Sequence, residues 1–155
     1  MRGLRVRARR VGPSLALLAM LCGCARLVLL HDPLSAAEHN DLGVAYERAG
    51  KIALAEREYR KALRLESSFA RARVNLGNLA AAAGRWPEAE RHYRRALRDL
   101  PGDPDARNNL AVTLLRRGRA GEETEWLARS AVALVPADSA YRRTLSEVLE
   151  ARTRP

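Results

Sequence analysis

The side chains that most often carry out chemistry are few in this chain and lie far apart. The three histidines are His31, His39 and His92, and none has a carboxylate or thiol at the spacing of metal ligands. We therefore expect them on helix surfaces. The sequence has no serine, histidine and aspartate in catalytic order with a supporting nucleophile elbow, and no glycine-rich phosphate loop. These observations predict a protein that is not an enzyme and that needs no metal or cofactor.

The two cysteines, Cys22 and Cys24, follow a basic and then an apolar segment. Five arginines lie within residues 1–10, and an apolar run from Ser14 to Cys22 comes next. This order is typical of a signal peptide, and the run is too short to span a membrane by itself. Residues 1–23 are therefore predicted to be a signal peptide.

The tetrapeptide Leu21-Cys22-Gly23-Cys24 resembles the bacterial lipobox, in which a small residue precedes a cysteine. The resemblance implies cleavage before Cys24, lipidation of its thiol and a tether over residues 24–35. Ala25 in the next position implies sorting to the outer membrane, with the protein facing the periplasm. Two alternatives stay open: ordinary cleavage, and an uncleaved inner-membrane anchor over residues 11–30. Such an anchor would bury Arg26, at a cost of about 2.5–3.5 kcal/mol at a helix centre.

Beyond residue 35 the sequence overlays itself when it is shifted by 34 residues. Identical pairs include Leu42/Leu76, Gly43/Gly77, Gly50/Gly84, Ala55/Ala89, Tyr59/Tyr93 and Ala62/Ala96. Alanine and leucine are strong helix formers and aromatic residues make up only 5%, so we expect an all-α protein. The period and the residue pattern resemble the tetratricopeptide repeat family, in which each repeat is a pair of helices.

The resemblance implies a right-handed α-solenoid of three helix hairpins and a C-terminal capping helix. The predicted repeats are residues 36–69, 70–103 and 104–138, and the third carries one inserted residue near Ala120-Gly121. Residues 139–155 repeat only the first-helix pattern, so they are predicted to be the capping helix and tail that cover the last apolar face.

Small residues and tyrosines give the repeat its physical basis. Gly43 and Gly77 are expected to let the two helices of a repeat touch, while Tyr59 and Tyr93 are expected to fill the space between neighbouring repeats. Three glycines are expected to supply the positive φ that ends each first helix: Gly50, Gly84 and Gly118. The bulky aromatic residue that the family usually has early in the first helix is replaced at three positions, His39, Arg73 and Arg107, which suggests a looser stack.

In this family the concave groove is lined by positions of the first helices and binds protein segments. The resemblance implies a protein- or peptide-binding groove formed by Asn40, Val44, Arg48, Arg71, Asn75, Asn78, Asp105, Asn108, Asn109, Val112, Arg116 and Arg143. The amides of Asn75 and Asn109 either grip an extended peptide backbone or help to pack the repeats, and both interpretations stay open. Of the residues with which some members hold chaperone C-terminal carboxylates, only Asn75 matches, so we do not expect that ligand.

The formal charge of +10 results from 28 Lys and Arg residues against 18 Asp and Glu residues. We expect a membrane-tethered scaffold or adaptor that serves in bacterial envelope assembly and binds a protein partner but no nucleic acid. The alternative is a charged surface that binds anionic lipid, or nucleic acid, through two basic ridges on the second helices. The ridges are Arg57, Arg60, Lys61 and Arg64, and Arg91, Arg94, Arg95 and Arg98.

Overall fold

The computed structural model describes residues 32–153, which form seven helices and no strand. The helices are α1 (Ala36–Arg48), α2 (Ile52–Leu65), α3 (Ala70–Ala82), α4 (Trp86–Asp99), α5 (Pro104–Arg116), α6 (Glu122–Leu134) and α7 (Ser139–Thr153). Each first helix packs against the second helix that follows it, and the pairs stack in chain order. The predicted all-α solenoid of helix hairpins is confirmed.

The predicted N-terminal features fall outside the described residues. This holds for the signal peptide 1–23, the lipidation site Cys24, the alternative anchor 11–30, most of the tether 24–35, and His31. Within residues 32–153, no helix combines the length and the hydrophobicity that crossing a bilayer requires.

Local side chains fix where two of the first helices begin. At α1 the Ser35 hydroxyl accepts a hydrogen bond from the Glu38 N–H, and the Glu38 carboxylate accepts one from the Ser35 N–H at 2.7 Å. These bonds satisfy N–H groups that have no partner inside the helix, and they lower the pKa of Glu38. At α5 the Asp103 carboxylate accepts from the Ala106 N–H at 2.9 Å, and Pro104 occupies the first helical position.

The turns inside the hairpins depend on glycines in the left-handed region. Gly50, Gly84 and Gly118 have φ values of 69°, 70° and 70°. A side chain is disfavoured at such φ values, so glycine ends the first helix at little cost. The third turn, residues 117–121, is longer than the turns at 49–51 and 83–85, which accommodates the extra residue of the third repeat.

In the first two repeats the two helices approach closely where a glycine meets a tyrosine ring. A Cβ added to Gly43 would lie 2.5 Å from Tyr59 Cε1, and one added to Gly77 would lie 2.5 Å from Tyr93 Cε1. Both rings are buried. Each ring lies on the glycine of its own repeat and also belongs to a core cluster with residues of the next repeat, Leu76 for Tyr59 and Leu110 for Tyr93.

In the third repeat, alanines occupy the positions of the glycine and the tyrosine. Ala111 stands in the glycine position of α5, and Ala128 stands in the tyrosine position of α6 once the inserted residue is allowed for. Both are fully buried in the C-terminal core cluster. Val148 of α7 is buried in the same cluster, so the last helix covers the apolar face of the third hairpin.

His39 is buried and not at a helix surface, which corrects its predicted position. It stands where the family usually has a bulky aromatic residue, and its imidazole Nδ1 lies 2.8 Å from Glu58 Oε2, with both side chains only 1% exposed. Arg57 and Lys61 also contact the Glu58 carboxylate, at 3.1 and 3.3 Å. Burial raises the pKa of Glu58, but the hydrogen bonds with His39, Arg57 and Lys61 outweigh it and leave that pKa lowered.

The other two replaced aromatic positions are also filled by anchored polar side chains. The Arg73 guanidinium donates to Asp99 at 2.6 Å and to the Ser67 carbonyl. Arg107 donates to the Pro101 carbonyl at 2.8 Å through Nη2. In all three repeats, therefore, a polar side chain takes the place of the aromatic ring and finds a partner close by.

Replacing Gly77 by alanine tests the close approach. The new methyl group meets the Tyr93 ring, so we expect the free energy of unfolding to fall by about 1–3 kcal/mol, despite a gain in helix propensity of about 1 kcal/mol. Gly102→Ala is the matched control, because nothing lies within 4 Å of a Cβ there. Urea unfolding followed by circular dichroism measures both variants. Equal stability of Gly77→Ala and Gly102→Ala would contradict the packing described.

Replacing Glu58 by glutamine tests the buried ion cluster. Because the pKa of Glu58 is lowered from 4.5, its ionised form stabilises the fold at pH values above 4.5, and this contribution is lost as the pH falls through the folded-state pKa. We expect Glu58→Gln to cost about 1–3 kcal/mol at neutral pH and markedly less in acid. Urea midpoints across the pH range measure the difference, and a cost that does not change with pH would refute the assignment.

Candidate functional site

The first helices form one face of the stack, along which the predicted groove residues lie. Helix α3 contacts α5, and α5 contacts α7, while a side-chain hydrogen bond joins α1 to α3. The side chains that point away from the second helices on this face are therefore available to a partner.

Asparagines link neighbouring first helices across this face. The Asn75 amide donates to Asn40 Oδ1 at 2.9 Å, and the Asn109 amide donates to Asn78 Oδ1 at 3.0 Å. The Tyr93 hydroxyl donates to the same Asn78 oxygen at 2.8 Å. One donor of each of the Asn75 and Asn109 amides is thus used between repeats, which favours the packing interpretation over a grip on a peptide backbone.

Two residues of the predicted groove set lie below its surface. Asn40 is 1% exposed and Asn108 is 7% exposed. Asn40 Oδ1 accepts from Asn75, whereas Asn108 Oδ1 has no hydrogen-bond partner among residues 32–153. The residue of the capping helix that corresponds to Asn75 is Thr144, and its hydroxyl donates to the Ala140 carbonyl of its own helix at 3.1 Å. The row of amides therefore stops at the cap.

The exposed part of this face carries arginines beside a half-buried strip. Its arginines lie at the surface and form no ion pair within the described range: Arg48, Arg71, Arg116 and Arg143. Between them Val44, Asn78 and Val112 are half-buried. Asp105 is exposed but accepts a hydrogen bond from the Tyr141 hydroxyl at 2.5 Å, and burial together with this bond raises the pKa of Tyr141.

A recess lies between α3 and α5 on this face. It has a volume of about 210 Å³ and is lined by Asn78, Ala81, Trp86, Tyr93, Asn109, Val112 and Thr113. Trp86 was not among the predicted groove residues, because only first-helix positions were considered and it begins the second helix α4. Its ring and the valine give the recess an apolar wall, while Asn78 and Asn109 give it a polar one.

The two basic ridges differ in how far acids neutralise them. In the first ridge Arg57 and Lys61 contact Glu58, and Arg60 pairs with Glu56 at 2.5 Å. In the second, only Arg94 is paired, with Glu90 at 2.9 Å and Glu123 at 2.5 Å. Arg91, Arg95 and Arg98 have no acidic partner among the described residues. The positive charge of the second helices is therefore concentrated on α4.

No group of three metal-ligating side chains lies together in the part of the chain that the structure describes. His39 is paired with Glu58, and His92 lies 4.0 Å from Glu88. Burial lowers the pKa of His92, Glu88 opposes this effect, and the nearby Arg91, Arg73 and Arg60 add to it, so that the pKa stays lowered.

The unsatisfied oxygen of Asn108 predicts a stabilising substitution. In Thr144→Asn the new amide is expected to donate to Asn108 Oδ1, as Asn75 does to Asn40, and to raise the free energy of unfolding by about 1 kcal/mol. The matched control is the same substitution in an Asn108→Leu background, where the acceptor is missing and no gain is expected. Urea unfolding measures all variants, and an equal effect in both backgrounds would rule out this hydrogen bond.

Comparisons with known proteins agree with this geometry. A family model described as tetratricopeptide repeat matches residues 40–104 and 74–140. The structure is similar to one solved as the first TPR of Spaghetti (RPAP3) bound to the HSP90 peptide SRMEEVD, with a TM-score of 0.72 and 16% sequence identity. That match covers 77% of this chain and 94% of the other. At this identity it shows a shared fold and nothing more. A search of curated protein sequences gives no match.

Proposed function

Because the chain belongs to the tetratricopeptide repeat family, we propose that it is a non-enzymatic scaffold or adaptor whose groove along α1, α3 and α5 binds an extended segment of a partner protein. The observation that carries this proposal is the half-buried strip of Val44, Asn78 and Val112 between arginines that have no acid of their own. A binding surface typically has unpaired charges and partly exposed apolar side chains on one face of well-formed helices.

The chemistry of the groove favours a partner segment that carries carboxylates. Arg48, Arg71, Arg116 and Arg143 can each hold a carboxylate through two parallel hydrogen bonds. The recess lined by Trp86 and Val112 can accept one apolar side chain of the same segment. The peptide in the similar structure is acidic as well, with the sequence SRMEEVD. The residues that hold chaperone C-termini in some members are not matched here beyond Asn75, and its amide already binds Asn40.

We further propose that the module is held at a bacterial envelope membrane. The basic segment, the apolar run and the tetrapeptide Leu21-Cys22-Gly23-Cys24 support lipidation of Cys24 and attachment to the outer membrane on its periplasmic side. An inner-membrane anchor over residues 11–30 is the alternative. A tethered module whose groove binds a protein segment fits a role in envelope assembly, because the tether confines the partner to the membrane surface.

Charge reversal in the groove tests the binding proposal. The full-length chain carrying Arg71→Glu and Arg116→Glu is used as bait in detergent extracts of the source bacterium, and captured proteins are quantified by mass spectrometry. We expect partners of the unmodified chain to fall by about tenfold or more, since a lost carboxylate contact costs about 1.4 kcal/mol or more. Both side chains are exposed and form no ion pair within the described residues, so the fold is expected to persist.

The matched control for that experiment is Arg64→Glu with Arg142→Glu. These arginines are also exposed and without an acidic partner within the described residues, and Arg64 occupies the last turn of its helix as Arg116 does. The control changes the net charge by the same amount. Capture that is retained by the groove variant, or lost equally in both, would rule out the groove as the binding surface.

The two cysteines, which are separated by Gly23, allow a matched test of the tether. Cys24→Ser is expected to abolish acylation and release the protein from membranes. Cys22→Ser changes a residue of the discarded segment, so acylation and membrane attachment are expected to be unchanged. Mass spectrometry of the mature N-terminus measures the outcome directly, and we expect acylated Cys24. A membrane-bound protein that retains Met1 would instead favour the anchor over residues 11–30.

A further inference from the structure

The outer face of α4, opposite the groove, carries a cleft lined only by basic side chains. It has a volume of about 440 Å³ and is lined by Arg73, Arg91, His92, Arg94, Arg95 and Arg98. No carboxylate lines it. A cleft of one charge sign with protein walls concentrates its electric field, so it attracts a ligand of the opposite sign.

The arginines of this cleft divide into two groups. Arg73 is bound to Asp99, and Arg94 is bound to Glu90 and Glu123, so these two have their acids within the protein. Arg91, Arg95 and Arg98 have none in residues 32–153. The Glu90 carboxylate is further occupied by Arg117 and Arg119, so it does not neutralise the rest. The cleft therefore offers three guanidinium groups to an external anion.

An apolar cavity adjoins the cleft and shares Arg94 and Arg98 with it. This cavity has a volume of about 340 Å³ and reaches down to leucines of three helices, α4, α5 and α6, which are Leu97, Leu110 and Leu127. Its lining also includes the Glu123 carboxylate, whose charge is paired with Arg94. Trp126 forms its rim and is 59% exposed, which is high for the largest apolar side chain. The Arg107 guanidinium lies 5.2 Å from the centre of the tryptophan ring.

We propose that this second-helix face is a separate docking site for an acidic peptide segment, with its carboxylates on Arg91, Arg95 and Arg98 and an adjoining apolar side chain in the cavity beside Trp126. The site goes beyond the proposed groove, because it lies on the second helices and uses none of the groove arginines. Arginine binds carboxylates through two parallel hydrogen bonds, and an exposed tryptophan beside arginine is typical of the centre of a protein interface.

The shape of the surface favours a peptide over the other anionic partners. A flat bilayer would touch Trp126 and the arginine tips, but it would not reach Leu110 and Leu127, which are buried at the base of the cavity. A single-stranded nucleic acid needs free aromatic faces on which successive bases stack. Here one ring lies at the site, and Arg107 is already placed over it.

Fluorescence anisotropy with a labelled peptide tests the proposal on the full-length chain in detergent. The probe is Gly-Ser-Glu-Asp-Glu-Asp-Leu-Phe-Glu-Asp-Gly-Ser. Its controls are an analogue with every acid replaced by its amide, and one with Leu-Phe replaced by Ser-Ser. We expect a Kd in the micromolar range, about tenfold weaker binding of either analogue, and the same loss for Arg91→Glu with Arg95→Glu. Trp126→Ala is expected to weaken binding of the original peptide but not binding of the Ser-Ser analogue.

Two further variants make the outcome decisive. Arg64→Glu with Arg142→Glu changes the net charge equally and is expected to leave peptide binding within about twofold. Arg71→Glu with Arg116→Glu removes binding in the groove, which is itself proposed to take acidic segments, and in that background the loss caused by Arg91→Glu with Arg95→Glu is expected to persist. The proposal is overturned if the amide analogue binds equally, if the net-charge control loses binding to the same extent, or if only the groove variant does. It is also overturned if the peptide does not bind, while the binding of anionic vesicles or of a single-stranded oligonucleotide requires Arg91 and Arg95.

Discussion

The contact of a tyrosine ring with a bare glycine backbone sets the geometry on which the rest of this protein depends. At Gly43 and Gly77 there is no room for a Cβ beneath Tyr59 and Tyr93. Because the ring lies directly on the first helix, the two helices of a repeat stay close and in fixed register. Fully buried alanines, Ala55 and Ala89, continue this close approach along the second helices. Repeated hairpins of the same thickness then stack, and the outer sides of the first helices are left to form one continuous face.

Polar side chains occupy the first-helix positions at which this family usually has an aromatic residue. His39 binds Glu58 inside the first hairpin, Arg73 binds Asp99 at the end of the second, and Arg107 reaches the carbonyl of Pro101. Each of these three side chains is paired, which keeps the desolvation cost of the substitutions low. The pairing also explains how a chain with few aromatic residues, 5% of the total, can hold several stacked hairpins together.

The period of the sequence was enough to predict the all-α hairpin solenoid, because the repeated glycines, alanines and tyrosines report directly on backbone spacing. Partners of polar side chains could not be predicted in the same way. Helical register places Asn75 and Asn109 on the groove face, but only the neighbouring helix decides that their amides bind Asn40 and Asn78. His39 was expected at a surface because the partner that permits its burial, Glu58, lies 19 residues away in sequence. The sequence predicted a basic ridge on α4 but not the cleft, because acidic residues on other helices determine which of its arginines form ion pairs.

A double-mutant cycle between Gly77 and Tyr93 tests the central contact most directly. The free energy of unfolding is measured for Gly77→Ala, Tyr93→Leu and the combination. If the ring fixes the helix spacing, the methyl group of Gly77→Ala is costly only while the ring is present, so the cycle gives a coupling energy of about 1–2 kcal/mol. Strictly additive effects, with the same cost of Gly77→Ala in both backgrounds, would contradict this account of how the hairpins are built.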